Sequence, residues 1–182
     1  MAIVPGLLDQ VLRTPRSKDV TESPIVRTVI LADAANAADL VPSLERTETL
    51  EAYNARRILC LFGPDAAPHL LAALNGAGPT ARKEGIEVLW ALLVSEEART
   101  IRETMAAAQS DFDMLLEDKR ALPDNMPPHT ERDFRGRICD LAFIVAQQLV
   151  NREYDQSPFR SLDDKGRDEE IRRFKARRLN LA

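Results

Sequence analysis

The chain has 182 residues, 45% of them hydrophobic but only 5% aromatic, with 30% charged and a formal net charge of −4. Those figures suit one domain, residues 1–182, with a core of Leu, Ala, Val and Ile. They argue against a β-sandwich, which needs more β-branched and aromatic residues, and nothing in the charge balance demands a polyanionic partner.

In chain order, a short helix is expected over residues 7–12, ending before Pro15, and the polar stretch 14–22 reads as a loop. The opening residues lack a basic segment and a long apolar run, so no leader is expected. Ser23-Pro24 offers a cap and a preset first turn for a helix to about Ala35. A short helix follows from Asp39, then a longer one over 49–62 that Gly63-Pro64 stops. Residues 65–74 and 80–94 form an antiparallel pair across a Gly/Pro turn, and helices follow near 97–108 and 111–119. The segment 120–130 holds three prolines and reads as irregular. Helix then resumes over 131–150, and after Ser157-Pro158 a last helix covers 164–178. No apolar run approaches a membrane span, and a cytoplasmic location with reduced thiols is the expectation. The class is all-α.

The wheels add layering. On 81–94, Ala81, Gly85, Ile86, Val88, Leu89, Trp90, Leu92 and Leu93 fill an arc of roughly 200°, leaving Lys83, Glu84 and Glu87 as the polar stripe. On 133–150 a similar apolar arc leaves Asp133, Arg137, Asp140 and Gln147 opposite, with Ile144 among them. Arcs this wide mean helices covered on two sides, as in stacked arrays or a four-helix bundle.

The first helix of the central pair carries Gly63, Pro64, Asp65, Ala66, Pro68 and Leu70, and the second opens with Ala81-Arg82, fourteen residues after Pro68. In this, residues 39–94 resemble HEAT-type repeats, and Pro42 and Arg56 repeat the spacing, with an apparent period of 26 that is too short for a whole helix pair. Gly76 stands where the family usually has an Asp supporting a ladder between repeats. The segment from Arg137 to Ala142 is also similar to final repeats of bacterial HEAT-like proteins. The resemblance implies a short α-solenoid of three or four helix pairs that binds a protein, and it carries over no catalytic residue. Residues 1–38 read as a capping repeat or an independent arm.

In such stacks the second helix of each pair lines the concave face. The expected protein-binding set is therefore Tyr53, Asn54 and Arg57, then Lys83, Glu84 and Glu87, then Asp133, Arg137, Asp140 and Gln147; the alternative is plain solvation. The partner would be a protein held by an adaptor, a regulatory subunit or an immunity-type inhibitor. The second reading is nucleic acid on the basic block Arg172, Arg173, Lys175, Arg177 and Arg178, although acidic residues early in the same helix complement its dipole and pair with the block. A third is an enzyme centred on His129 in the 120–130 segment. No zinc-protease, redox, phosphate-loop or nucleophile-elbow motif is present, and no catalytic residue, metal or cofactor is expected. His69 reads as a surface or interhelical residue, Cys60 and Cys139 as buried free thiols, and Asp111, Asp113, Asp163 and Asp164 as helix caps.

Overall fold

The computed structural model describes residues 5–46, 48–123 and 136–179, and among them the regular structure is helical, with no strand. The helices are α1 (Pro5–Leu12), α2 (Ala37–Leu40), α3 (Leu50–Leu59), α4 (Ala67–Leu74), α5 (Pro79–Leu93), α6 (Ala98–Ala107), α7 (Gln109–Leu116), α8 (Ile138–Val150), α9 (Ser157–Arg160) and α10 (Asp164–Leu179).

They pack in two rows. One row holds α2 with its flanking 3-10 turns, then α4, then α6 and α7. The other holds α3, α5 and α8 in that order, with α1 against α3 and α10 against α8. A continuous apolar core runs between the rows from Val11 to Ile171, with Leu40, Leu59, Leu70, Leu74, Leu89 and Phe112 fully enclosed. α5 lies at the centre, touching α3, α4 and α8. At its crossing with α4, a Cβ on Gly85 would overlap the buried Leu74 side chain, so the glycine permits the close approach.

Local chemistry explains the helix starts. Thr49 caps α3 by accepting from the Ala52 amide at 3.1 Å, and Asp163 caps α10 by accepting from Gly166 at 2.8 Å. α5 begins with Gly78-Pro79 and has no cap of its own. The Glu45 carboxylate, from the 3-10 turn that follows α2 in the other row, accepts from the Ala81 amide at 3.2 Å and occupies the space a Gly78 side chain would need.

Two expected helices come out differently. In place of a helix over 23–35 there is one π-type turn, Val26–Ile30, and then a 3-10 turn, Ala34–Asn36, that Asp33 caps. Val26, Thr28, Val29 and Ile30 are all β-branched, and the Thr28 hydroxyl donates to the Pro24 carbonyl at 2.8 Å, which competes with regular helix. Of the helix expected over 131–150, the described part is helical from Ile138. Arg137 is extended and bridges Ala121 antiparallel, with Leu122 N–H donating to Gly136 O and Ile138 N–H to Arg120 O. Residues 131–135 of that expected helix, including Asp133, lie outside the described residues.

Candidate functional site

The structure sorts the expected polar face into three groups, mostly consumed by the fold. On α3, Asn54 is buried and donates to the Leu12 and Thr14 carbonyls, both at 2.8 Å, so it clamps the end of α1 onto α3. Tyr53 is 39% exposed. The Arg16 guanidinium lies over its ring at 4.8 Å and that of Arg57 at 5.7 Å. Asp19 holds Arg57 at 3.0 Å, and the Arg57 guanidinium beside it helps keep the Asp19 carboxyl below its ordinary range, after the larger effect of its bonds to Thr21.

On α5 the expected stripe is turned inward. Lys83 and Glu84 are buried and Glu87 is half-buried, whereas Trp90, expected in the apolar arc, is 40% exposed. Arg56 from α3 explains the inversion: it meets Glu84 at 2.8 Å and Glu87 at 2.5 Å, while Lys83 meets the same carboxylates at 2.9 and 3.1 Å. Charges paired in this way tolerate burial that single charges would not.

On α8, Arg137 and Asp140 are buried as well, and Gln147 is half-buried. Asp140 accepts from the Arg137 side chain at 2.8 and 3.1 Å and from its backbone N–H at 2.9 Å. Arg137 also reaches Asp168 at 2.8 Å, which Lys119 meets at 2.5 Å, and Arg167 lies 3.6 Å from Asp140. This network joins α8, α10 and the stretch after α7. Ile144, expected on the polar stripe, is buried too.

Arg82 makes the connection between rows. It donates to the Asn75 carbonyl at 2.5 Å and the Ala77 carbonyl at 3.2 Å, and pairs with Asp118 at 2.8 Å. The Asn75 amide donates to Asp111 at 2.6 Å. The links Glu45–Ala81, Asn75–Asp111 and Arg82–Asp118 each span 36 residues. Among the described residues Arg56, which echoes Arg82 in the sequence, is paired with Glu84 and Glu87 and not with turn carbonyls.

The basic block is largely answered from within the chain. Arg172 pairs with Glu169, Arg173 with Glu169 and Glu170, and Lys175 with Glu117, just after α7, at 2.5 Å. Arg177 is exposed; the side chain of Arg178 lies outside the described set, as does His129. His69 is exposed. Cys60 is exposed because α3 ends at Leu59, which corrects the expectation of a buried thiol. Cys139 is buried, and burial followed by the neighbouring Asp140 charge pushes its thiol up to about 12, leaving it protonated and inert at neutral pH. Asp163 caps as expected, but Asp111 serves Asn75 instead. Among the described residues no group of three or more His, Cys, Asp or Glu is placed to hold a metal ion, and no helix is long and apolar enough to cross a membrane.

No protein-family model, curated protein or solved structure matches this chain. The site must therefore be read from its own geometry. Sequence reasoning missed Arg16 and Trp90, which the structure leaves outward with Tyr53. Their only signal was residue type, since Tyr, Trp and Arg are enriched where partners bind.

The acid pairs set a pH dependence. Lys119 and then Arg137 hold the Asp168 carboxyl below its ordinary 3.8. Burial raises the Asp118 carboxyl, but its bonds to Arg120 and Arg82 outweigh that and leave it lowered. The unfolded chain then binds protons more readily than the folded one, so stability rises with pH in this range. Urea midpoints should hold steady above about pH 5 and fall as pH drops through the lowered carboxyl values. A midpoint unchanged down to about pH 2.5 would contradict these assignments.

Proposed function

We propose that the chain is a short, irregular HEAT-like helical repeat that binds another protein and performs no catalysis. Three links, Glu45–Ala81, Asn75–Asp111 and Arg82–Asp118, share a 36-residue offset, which supports the repeat reading, since stacked helix pairs recur every 33–47 residues or so. Arg82, gripping the turn carbonyls and Asp118, does the work of the ladder that Gly76 removes.

The observation that carries the binding reading is the placement of two exposed aromatics. Tyr53 lies one turn before Arg56 on α3, and Trp90 one turn after Glu87 on α5, so the Arg56–Glu87 pair sits between them. Most other aromatics of the described chain are enclosed. Two large rings around a fixed polar network, on adjacent helices, match the make-up of binding hot spots. An adaptor, regulatory subunit or inhibitor would use such a surface. The nucleic-acid reading loses support because Arg172, Arg173 and Lys175 already have carboxylate partners.

A photo-crosslinking amino acid at position 53 or 90 should trap one protein partner in native extract, and the same residue at Met114, exposed on α7 in the other row, should not. Trp90→Ala should weaken capture at least about tenfold, with thermal stability little changed. Equal trapping from all three positions, or capture indifferent to Trp90→Ala, would count against this surface.

A further inference from the structure

We infer that the Arg16–Tyr53–Arg57 cluster is the part of this surface that recognises carboxylates, and that it takes an acidic segment of a protein partner. The inference rests on the protein-binding reading and narrows it to one chemistry.

The cluster is held ready. Asn54, buried beneath it, fixes the backbone at Leu12 and Thr14 and so places the following loop on α3. Arg16 then lies over the Tyr53 ring at 4.8 Å. Arg57, over the same ring, is oriented by Asp19 at 3.0 Å. Ordering that the fold has already supplied need not be supplied by the partner.

Its charge is unbalanced. Arg13 has Glu51 at 3.6 Å and Arg57 has Asp19, but Arg16 and Lys18 are exposed with no carboxylate within ion-pair distance among the described residues. The cluster's two guanidiniums, Arg16 and Arg57, thus have one carboxylate, Asp19, between them, on a chain whose net charge is −4. An acidic ligand is repelled by the whole and drawn to this place, which gives orientation as well as attraction. A guanidinium stacked on a ring keeps its edge free for a two-pronged bond to a carboxylate. Asp19 and Glu51 beside the cluster would repel a continuous phosphate chain, whereas they leave room for single carboxylates spaced along a peptide.

The test uses the full 15N-labelled chain at low salt with a ten-residue Glu-rich peptide, the equal-length Gln peptide and a dT decamer. The Glu peptide should shift the Arg16 and Arg57 Nε–H signals and the Tyr53 amide saturably, the Gln peptide should not, and added salt should weaken the effect. Arg16→Glu should reduce apparent affinity at least tenfold with unchanged melting temperature. Arg16→Lys, which keeps the charge and loses the fork, should reduce it less. Equal shifts with Glu and Gln peptides, or Glu binding that survives Arg16→Glu, would overturn the inference. So would binding of the dT decamer alone, which would assign the cluster to nucleic acid. Should the cluster fail while Trp90→Ala still releases the trapped partner, the wider reading stands without it.

Discussion

Replacing Asp140 by Ala should destabilise the protein by about 3–5 kcal/mol, the range found when one partner of a buried ion pair is removed. For a chain of this size that is roughly a 10–15 °C fall in melting temperature. Asp140 is fully buried and accepts three hydrogen bonds from Arg137, with Arg167 a further 3.6 Å away. Its loss leaves two enclosed guanidiniums facing each other with less compensation, and it also uncaps α8. Arg137→Met alone strands Asp140 in the opposite sense. Combining Arg137→Met with Asp140→Leu should therefore destabilise less than the two single changes summed, because the double variant removes both charges of the pair and leaves only Arg167 and Asp168 short of one partner each. Additive losses in chemical denaturation would show that the pair is not coupled as drawn. The result also separates fold from function: a residue first read as part of a binding face is expected to act on stability.

That reassignment shows how far local pattern reaches. The all-α class, the central pair α4–α5 and the C-terminal helix were legible, because Gly-Pro stops, caps and wide apolar arcs are local signals. The facing of α5 was not. A helical wheel separates apolar from polar residues, but Lys83 and Glu84 are buried because Arg56, far back in the chain, arrives to complete their network. Nothing within α5 announces that partner. Trp90 is outward although Leu89, Leu92 and Leu93 around it are buried, so the apolar arc of α5 is wider than the surface its neighbours cover. The start of α8 failed differently. Asp140 reaching back to the Arg137 amide is a local cap, yet it is written as Arg-x-x-Asp and not with Ser or Thr, so the two residues read as part of the binding face. The Arg16–Tyr53–Arg57 cluster was half visible, since Tyr53 and Arg57 were named. Arg16 enters it only through a loop whose course Asn54 fixes from the tertiary structure.

Phe143→Ala should have the second large effect, with a more local signature. Phe143 is 2% exposed and stacks at 4.4 Å on Phe159, 5.6 Å from Phe174 and 6.2 Å from Tyr154. One ring therefore anchors the chain after α8, α9 and α10 together. Truncation of a buried Phe costs about 3–5 kcal/mol through lost transfer and the cavity left behind, and each aromatic pair adds roughly 0.5–1.5 kcal/mol. α10 has other ties among the described residues, including the buried Arg167 beside Asp140 of α8. Its apolar anchors are Ile171, buried, and Phe174, half-buried; its ties from Asp168 and Lys175 to Arg137, Lys119 and Glu117 involve partly exposed groups and weaken with salt. A helix of this length, freed from its support, is marginal in water even with Glu169 pairing Arg172 and Arg173 within it. Hydrogen exchange should accordingly rise at least about tenfold across residues 164–177, while amides of α4 and α5 follow only the global loss. Raised salt should enlarge the difference between α10 and the centre. If α10 exchanged in step with α5 at every salt concentration, the helix would belong to the central cooperative unit, and Phe143 would be a core residue like Phe112 instead of the anchor of a separable end.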